Sequence, residues 1–343
     1  MMEFKLQDFI RPHLKNMPVY EINRPAVLGT ERMYLDANES PFGDFNRYPD
    51  AKHELLKKEI AAINQIAEDQ VFLGNGSDEL IDLLIRTFCE PATDRILMLD
   101  PSFSIYEIYA RFNNVQVGKI ALDDEFQIDQ NAYLQSVSQS QAKILFLCSP
   151  NNPTGNSLDD LKFYIQHFPG IVVIDEAYIE FSPNVSAVTF LKEFPNIIVL
   201  KTLSKAYAMA GLRVGAGFAS VEIAQLINRL KPPYNISAES QRIALNELKK
   251  TAAFKQQLHL ILAQKSFVEK QLAQLQIVEK VYPSDANFIL VKFYDVEKIY
   301  EKLSEHHIKT SLRHPKIENC IRISIGSETE NKKLLAILST LKS

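Results

Sequence analysis

Four short runs of uninterrupted apolar residues recur through the middle of the chain: Ile96–Leu99, Ile144–Cys148, Ile171–Ile174 and Ile197–Leu200. Each has strand length and is rich in β-formers. Apolar residues at consecutive rather than alternate positions predict strands buried on both faces, the condition of a parallel sheet covered by helices. Between the runs, apolar residues return at helical spacing, as in Leu80, Leu84 and Phe88. Ahead of them, Leu56, Ile60, Ile63 and Ala67 predict one apolar face of a helix. The alternation predicts an α/β, doubly wound sheet with its chemistry at the carboxyl ends of the strands.

The pattern changes after the pair Pro232–Pro233. A long helical stretch is predicted from about Ala238 to Leu275. Two strand-like runs separated by a helix, Asn287–Phe293 and Ile321–Ile325, follow it. This organisation predicts a large domain over residues 41–250 and a smaller α+β domain over 251–343, with the amino-terminal segment 1–40 joined to the small one.

Composition narrows the function classes. The 343 residues are 46% apolar and 23% charged, as in ordinary globular proteins, and the net charge of −4 offers no field for nucleic acid or an acidic membrane surface. Three scattered cysteines and seven histidines without ligand spacing predict neither disulfides nor a metal site. Glu3, Lys5 and Asp8 interrupt any secretory leader, and no run reaches the roughly 18 apolar residues of a membrane span. A reduced, cytoplasmic, metal-free protein acting on small molecules is expected.

The chemistry-bearing residues follow the apolar runs. Thr202-Leu-Ser204-Lys205 leads to Arg213, directly after Ile197–Leu200. A lysine at the end of a buried strand loses solvation, which favours a neutral, nucleophilic amine able to form an imine. Thr202, Ser204 and Arg213 add two hydroxyls and a guanidinium, groups suited to phosphate. Asp175 ends the run Ile171–Ile174; its carboxylate reads equally as a helix cap or as the partner of a pyridinium nitrogen, with the Tyr178 hydroxyl nearby. Asn152 lies in the turn Cys148–Gly155, a composition that needs no function by itself. Gly74–Leu84 runs glycines into a helix start, with Ser77 as the expected cap and Asp78 in the first turn. Unpaired amides there form an anion site. Phe103 reads as core or as a ring that stacks on a flat ligand, and Arg322, interrupting a strand-like run, as a salt bridge or a carboxylate receptor.

Taken in order, these motifs resemble the aspartate-aminotransferase superfamily, the fold type I pyridoxal-phosphate enzymes, and most of all its histidinol-phosphate aminotransferase branch. The resemblance spans nearly the whole chain, from LDANESPFG (Leu35 to Gly43) and RYPD (Arg47 to Asp50) to CIRISIG (Cys320 to Gly326). It implies pyridoxal 5′-phosphate as cofactor, Lys205 as the Schiff-base lysine and Asp175 opposite the pyridine nitrogen. It implies Tyr178 and Asn152 at the phenolic oxygen, Phe103 stacked on the ring, and Ser77, Asp78, Ser204 and Arg213 around the phosphate. Tyr48 resembles the tyrosine that reaches a neighbouring subunit's site, which implies a homodimer. Arg322 resembles the receptor for the carboxylate of glutamate or 2-oxoglutarate, and Tyr20, Asn287 and Arg313 resemble further substrate contacts. The implied reaction is amino transfer between L-histidinol phosphate and 2-oxoglutarate, in histidine biosynthesis. The alternatives are an aromatic or other amino-acid aminotransferase, an amino-acid-phosphate decarboxylase, and a cofactor-binding sensor.

Overall fold

The computed structural model describes residues 4–18 and 33–341. Its large sheet contains β1 (Val71–Asn75), β2 (Arg95–Asp100), β3 (Gln116–Ala121), β4 (Ile144–Cys148), β5 (Ile171–Asp175), β6 (Ile197–Thr202) and β7 (Val214–Ala219). The order across it is β1-β7-β6-β5-β4-β2-β3. Strands β3, β2, β4, β5 and β6 pair in parallel, whereas β7 runs antiparallel to both β6 and β1.

The four predicted apolar runs are β2, β4, β5 and β6. Their alternate side chains enter two separate cores: Leu145, Leu147, Val172 and Ile174 on one face, Ile144, Phe146, Ile171 and Val173 on the other. Both faces are dry, and each fully buried aliphatic or Phe side chain contributes roughly 1.5–3 kcal/mol. The covering helices are α1 (Glu54–Asn64), α2 (Gly76–Phe88), α3 (Ile105–Phe112), α4 (Gln130–Ser140), α5 (Leu161–Gln166), α6 (Val221–Leu230) and α7 (Ala238–Leu248).

A second sheet combines β8 (Val278–Val281), β9 (Phe288–Phe293), β10 (Ser311–Leu312) and β11 (Cys320–Ser324) in the order β10-β11-β9-β8. With α8 (Thr251–Leu272), α9 (Val296–Glu305) and α10 (Glu328–Ser339), it encloses its own core around Val268, Ile289, Val291, Ile321 and Leu334.

Three expectations are corrected. The helical stretch from Ala238 is not continuous, because Lys250 leaves the helical region (φ −84°, ψ 53°) and separates α7 from α8. In α1, Leu56 and Ile60 are buried, but Ile63 is 40% exposed and Ala67 lies beyond the helix end, which the left-handed Gln65 closes. The described part of the amino-terminal segment belongs with the large sheet rather than the small unit. Leu6 and Ile10 enter the core that holds Leu80 and Leu226, while the Arg11 guanidinium donates to the Arg86 carbonyl and pairs with Glu90.

Candidate active site

Where the parallel strands end, the chain turns over a cavity of about 580 Å³. The antiparallel β7 begins at that same edge, so Arg213 joins residues that follow β5 and β6. Lining residues include Ser77, Asp78, Phe103, Asn152, Asp175, Tyr178, Thr202, Ser204, Lys205 and Arg213 from the large unit, with Arg313 and Arg322 from the small one. The structure thus brings together twelve of the predicted residues.

At the cavity floor, Asp175 is 2% exposed. Its Oδ2 accepts the Tyr106 hydroxyl at 2.7 Å and its Oδ1 accepts the Ala177 N–H at 3.1 Å. Burial pushes the carboxyl upward, and these two hydrogen bonds oppose that push. A buried carboxylate to which no guanidinium among the described residues is bonded fits a cationic ring nitrogen opposite.

Lys205 follows β6 on an irregular loop. Its Nζ stands 5.8 Å from the centre of the Tyr178 ring. Desolvation, and then the positive charge of Arg322, lower its pKa, the direction needed for a nucleophilic amine. Tyr178 is itself buried and packs edge-on against Phe288 at 5.1 Å. Phe103 meets Tyr106 edge-on at 5.6 Å, so one aromatic cluster touches both the side wall and the Asp175 carboxylate.

One end of the cavity is shaped for an anion. Gly76 takes φ +77°, and a Cβ there would stand 2.5 Å from Arg213 Nη2; a Cβ on Gly215 would stand 2.4 Å from the Ser77 nitrogen. Only glycines allow the start of α2, with its unpaired amides, to approach Arg213 this closely. Ser77 is not the cap that the sequence led us to expect. The helix begins at Gly76 with Asn75 as the flanking residue, whose N–H is taken by Glu79 Oε2 at 2.6 Å. Asp78 turns its side chain to Arg213 Nη2 at 3.3 Å. Thr202 Oγ1 donates to Ser204 Oγ at 2.9 Å and accepts the Ser204 N–H at 3.1 Å, which fixes the loop just before Lys205.

The opposite end is cationic. Arg322 Nη1 donates to Asn152 Oδ1, and the guanidinium lies 5.1 Å over the Phe288 ring. Arg313 donates to the Ser311 hydroxyl. Both Nε atoms are buried without a hydrogen-bond partner among the described residues. Burial and the neighbouring Arg322 charge depress the Arg313 pKa. Two neighbouring guanidiniums with unspent donors fit an anionic ligand.

Three predicted residues stand elsewhere. Asn287 is not among the lining residues; it lies just before β9, where its carbonyl accepts the Ile325 N–H at 2.9 Å. Tyr48 is 49% exposed, away from the Lys205 cavity, and stacks on Tyr234 at 4.5 Å. Tyr20 lies outside the described residues. Sequence reasoning missed Tyr106, although it ends the PSFSIY run, and also His314 and Lys316 at the cavity wall; Lys316 pairs with Asp100 at 3.2 Å.

With this geometry in hand, the comparison with known families is decisive. The family described as aminotransferase class I and II matches residues 23–338. The chain belongs to this family. As a class I and II aminotransferase it has pyridoxal 5′-phosphate as its cofactor, and the donor set fits: a desolvated amine, a buried carboxylate and a glycine-lined anion cradle. A histidinol-phosphate aminotransferase of Cytophaga hutchinsonii is 43% identical, over 99% of this chain and 100% of that protein. Among solved structures, the histidinol-phosphate aminotransferase from Clostridium acetobutylicum has a TM-score of 0.79 and 28% identity, covering 86% of this aminotransferase and 90% of that chain. That from Sinorhizobium meliloti, in complex with pyridoxal-5′-phosphate, shares the fold with a TM-score of 0.79 at 23% identity, over 89% of each chain.

Proposed function

We propose that the protein transfers the amino group of L-histidinol phosphate to 2-oxoglutarate, yielding imidazole acetol phosphate and L-glutamate. The observation that carries the reading is the joint placement of Lys205, Asp175 and Tyr178 on one cavity whose two ends both suit anions.

When bound, pyridoxal 5′-phosphate supplies an aldehyde that bonds amines and a ring that accepts carbanion electrons. Lys205 Nζ would be the amine that holds it, and the same amine, when free, would move the proton at the substrate carbon. Its lowered pKa suits both tasks. Asp175 holds the pyridine nitrogen in its protonated form, with Tyr106 and the Ala177 N–H aiming the carboxylate. Tyr178 and Asn152 would address the phenolic oxygen, and Phe103 would pack against the ring. Ser77, Asp78, Ser204 and Arg213 hold the cofactor phosphate. Arg322 and Arg313 receive the anion of the substrate, the phosphate of one and the carboxylate of the other, so both amino donor and amino acceptor find the same counter-charge.

A homodimer completes this reading. Phe45 is 82% exposed and lines one surface hollow with Tyr48 and Tyr234, and Leu35 and Phe42, close to it in sequence, are also more than 80% exposed. Exposed apolar side chains of this kind favour cover by another chain. Tyr48 then enters the partner's site rather than its own. The proposed division of the chain places the large unit at 41–250 and the small unit at 251–343.

The test is a panel of amino donors, histidinol phosphate, aromatic amino acids and glutamate among them, mixed with the loaded enzyme in single turnovers. Fastest conversion of the cofactor to its amine form by histidinol phosphate is expected. A faster aromatic donor would assign another substrate, and carbon dioxide released without need of 2-oxoglutarate would assign decarboxylation.

A further inference from the structure

A polar cluster that the reaction does not use, with Lys231 and His53 buried at its base, lies between the start of α1 and the start of α2. Lys231, 9% exposed after α6, donates to the Ala51 carbonyl at 2.9 Å and to Asn235 Oδ1 at 3.2 Å, with its ammonium 3.4 Å from His53 Nδ1. Asn235 turns its side-chain amide to Glu79 Oε2 at 2.6 Å and to the Leu73 carbonyl at 3.3 Å. The same Glu79 oxygen accepts the Asn75 N–H at 2.6 Å. Asn75 closes the ring by donating through Nδ2 to the Asn235 carbonyl at 2.9 Å. A continuous path therefore runs from a buried ammonium, through one amide and one carboxylate, to the peptide N–H that immediately precedes the turn of Gly76.

An acid in the first turn of a helix stabilises the helix but opposes a second anion at the same amides. Glu79 escapes that conflict by bending back past the helix start. Its carboxylate is engaged by Asn75 on one side and Asn235 on the other, and Glu79 is not among the residues that line the cavity. Space for this arrangement comes from Gly74, where a Cβ would stand 3.2 Å from Glu79 Oε2 and 2.6 Å from Leu80 Cδ2.

We propose that Glu79 is the positioning residue of the phosphate-binding turn: it fixes Asn75 so that the unpaired amides at the start of α2 face the cofactor phosphate, while Asn235, backed by Lys231, draws its charge away. The inference rests on the functional reading given above. It also gives the buried ammonium a purpose. Desolvation lowers the Lys231 pKa to about 8, and the acids Glu79 and Asp50 work against that fall.

The experiment titrates the cofactor-free chain with pyridoxal phosphate and, separately, with pyridoxal, which lacks the phosphate. Glu79→Ala is expected to weaken pyridoxal phosphate about tenfold, as loss of a charge-assisted hydrogen bond predicts, and to leave pyridoxal within about twofold. Glu79→Gln, which restores an acceptor, is expected to recover most of the loss. Equal weakening of the two ligands, or of neither, overturns the inference, because a purely structural cap lowers the melting temperature without changing their affinity ratio. Should Glu79→Ala fail to fold, Asn235→Ala removes the amide that steers the same carboxylate and is held to the same ratio. Failure of the unaltered chain to take up pyridoxal phosphate would sink the functional reading itself, before any variant is made.

Discussion

The Tyr106 hydroxyl donates to Asp175 Oδ2 at 2.7 Å, and both groups are buried. The phenol is held from behind by Phe146, stacked at 4.7 Å, so it cannot swing away from the carboxylate. Tyr106→Phe keeps the ring and deletes only the donor. The Asp175 carboxyl is then expected to titrate higher in the cofactor-free chain, a change readable by carboxyl-carbon NMR. Turnover should fall at least tenfold, since a hydrogen bond to a charged group is worth roughly 1.5–3 kcal/mol. Unchanged kcat together with an unmoved carboxyl signal would deny Tyr106 this part.

Lys205→Ala removes the amine proposed to hold the cofactor. The variant should fold, lose the visible absorption of the loaded enzyme, and yield no peptide carrying the cofactor's mass after borohydride treatment. The unaltered chain should give that mass on the peptide containing Lys205 alone.

Arg322 and Arg313 both line the cavity, and their buried Nε atoms have no hydrogen-bond partner among the described residues. Arg322→Met should raise the KM for 2-oxoglutarate at least tenfold, since charge-assisted pairs are worth about 1.5–3 kcal/mol. The melting temperature should not fall, because one of two mutually repelling, half-buried cations is gone. Steady-state kinetics and a thermal melt on the same preparation decide both points.

Stability should depend on pH through His53. Burial first, and then the Lys231 charge, lower its pKa from 6.5 to about 3. The unfolded chain binds a proton as the pH falls below 6.5, and the folded chain does not until about 3. Stability present above 6.5 is therefore lost as the pH falls, with a slope approaching about 1.4 kcal/mol per pH unit. His53 sits at φ 54°, a conformation that asparagine tolerates. In His53→Asn this share of the acid-side slope should vanish, as measured by urea unfolding at pH 7.5 and pH 5.

Tyr48 offers a test of assembly. If it serves the neighbouring site, mixed preparations of inactive Tyr48→Ala and inactive Lys205→Ala should regain part of the activity. The gain comes from dimers in which one site has both intact residues. No recovery after subunit exchange would place Tyr48 outside the site.

How far the sequence reaches depends on what each residue answers to. Strands β2, β4, β5 and β6 were legible because two-sided burial demands unbroken apolar runs. Lys205 and Asp175 drew attention by following such runs, yet each alone has an ordinary structural reading; only the order of the motifs together, Arg213 included, marked them as one site. Strand β7, Val-Gly-Ala-Gly-Phe-Ala, carries no comparable signal: its glycines answer to Ser77 on α2 and Phe72 on β1, partners set only by the fold. Tyr106 carried no signal of its own, since its partner Asp175 is far away in the chain. The break at Lys250 escaped notice because helical spacing continues on both sides of it, and Ser77 looked like a cap until Glu79 proved to serve Asn75 instead.

The reversed course of β7 has a practical consequence. The backbone leaves the cavity through Lys205 and returns to it through Arg213 within a single short loop. Severing the polypeptide there would strand the amine and the guanidinium on different fragments, and a circular permutant opened in that loop should refold without function. New termini placed at Lys249–Lys250, between two helices and remote from the ligand, should be tolerated.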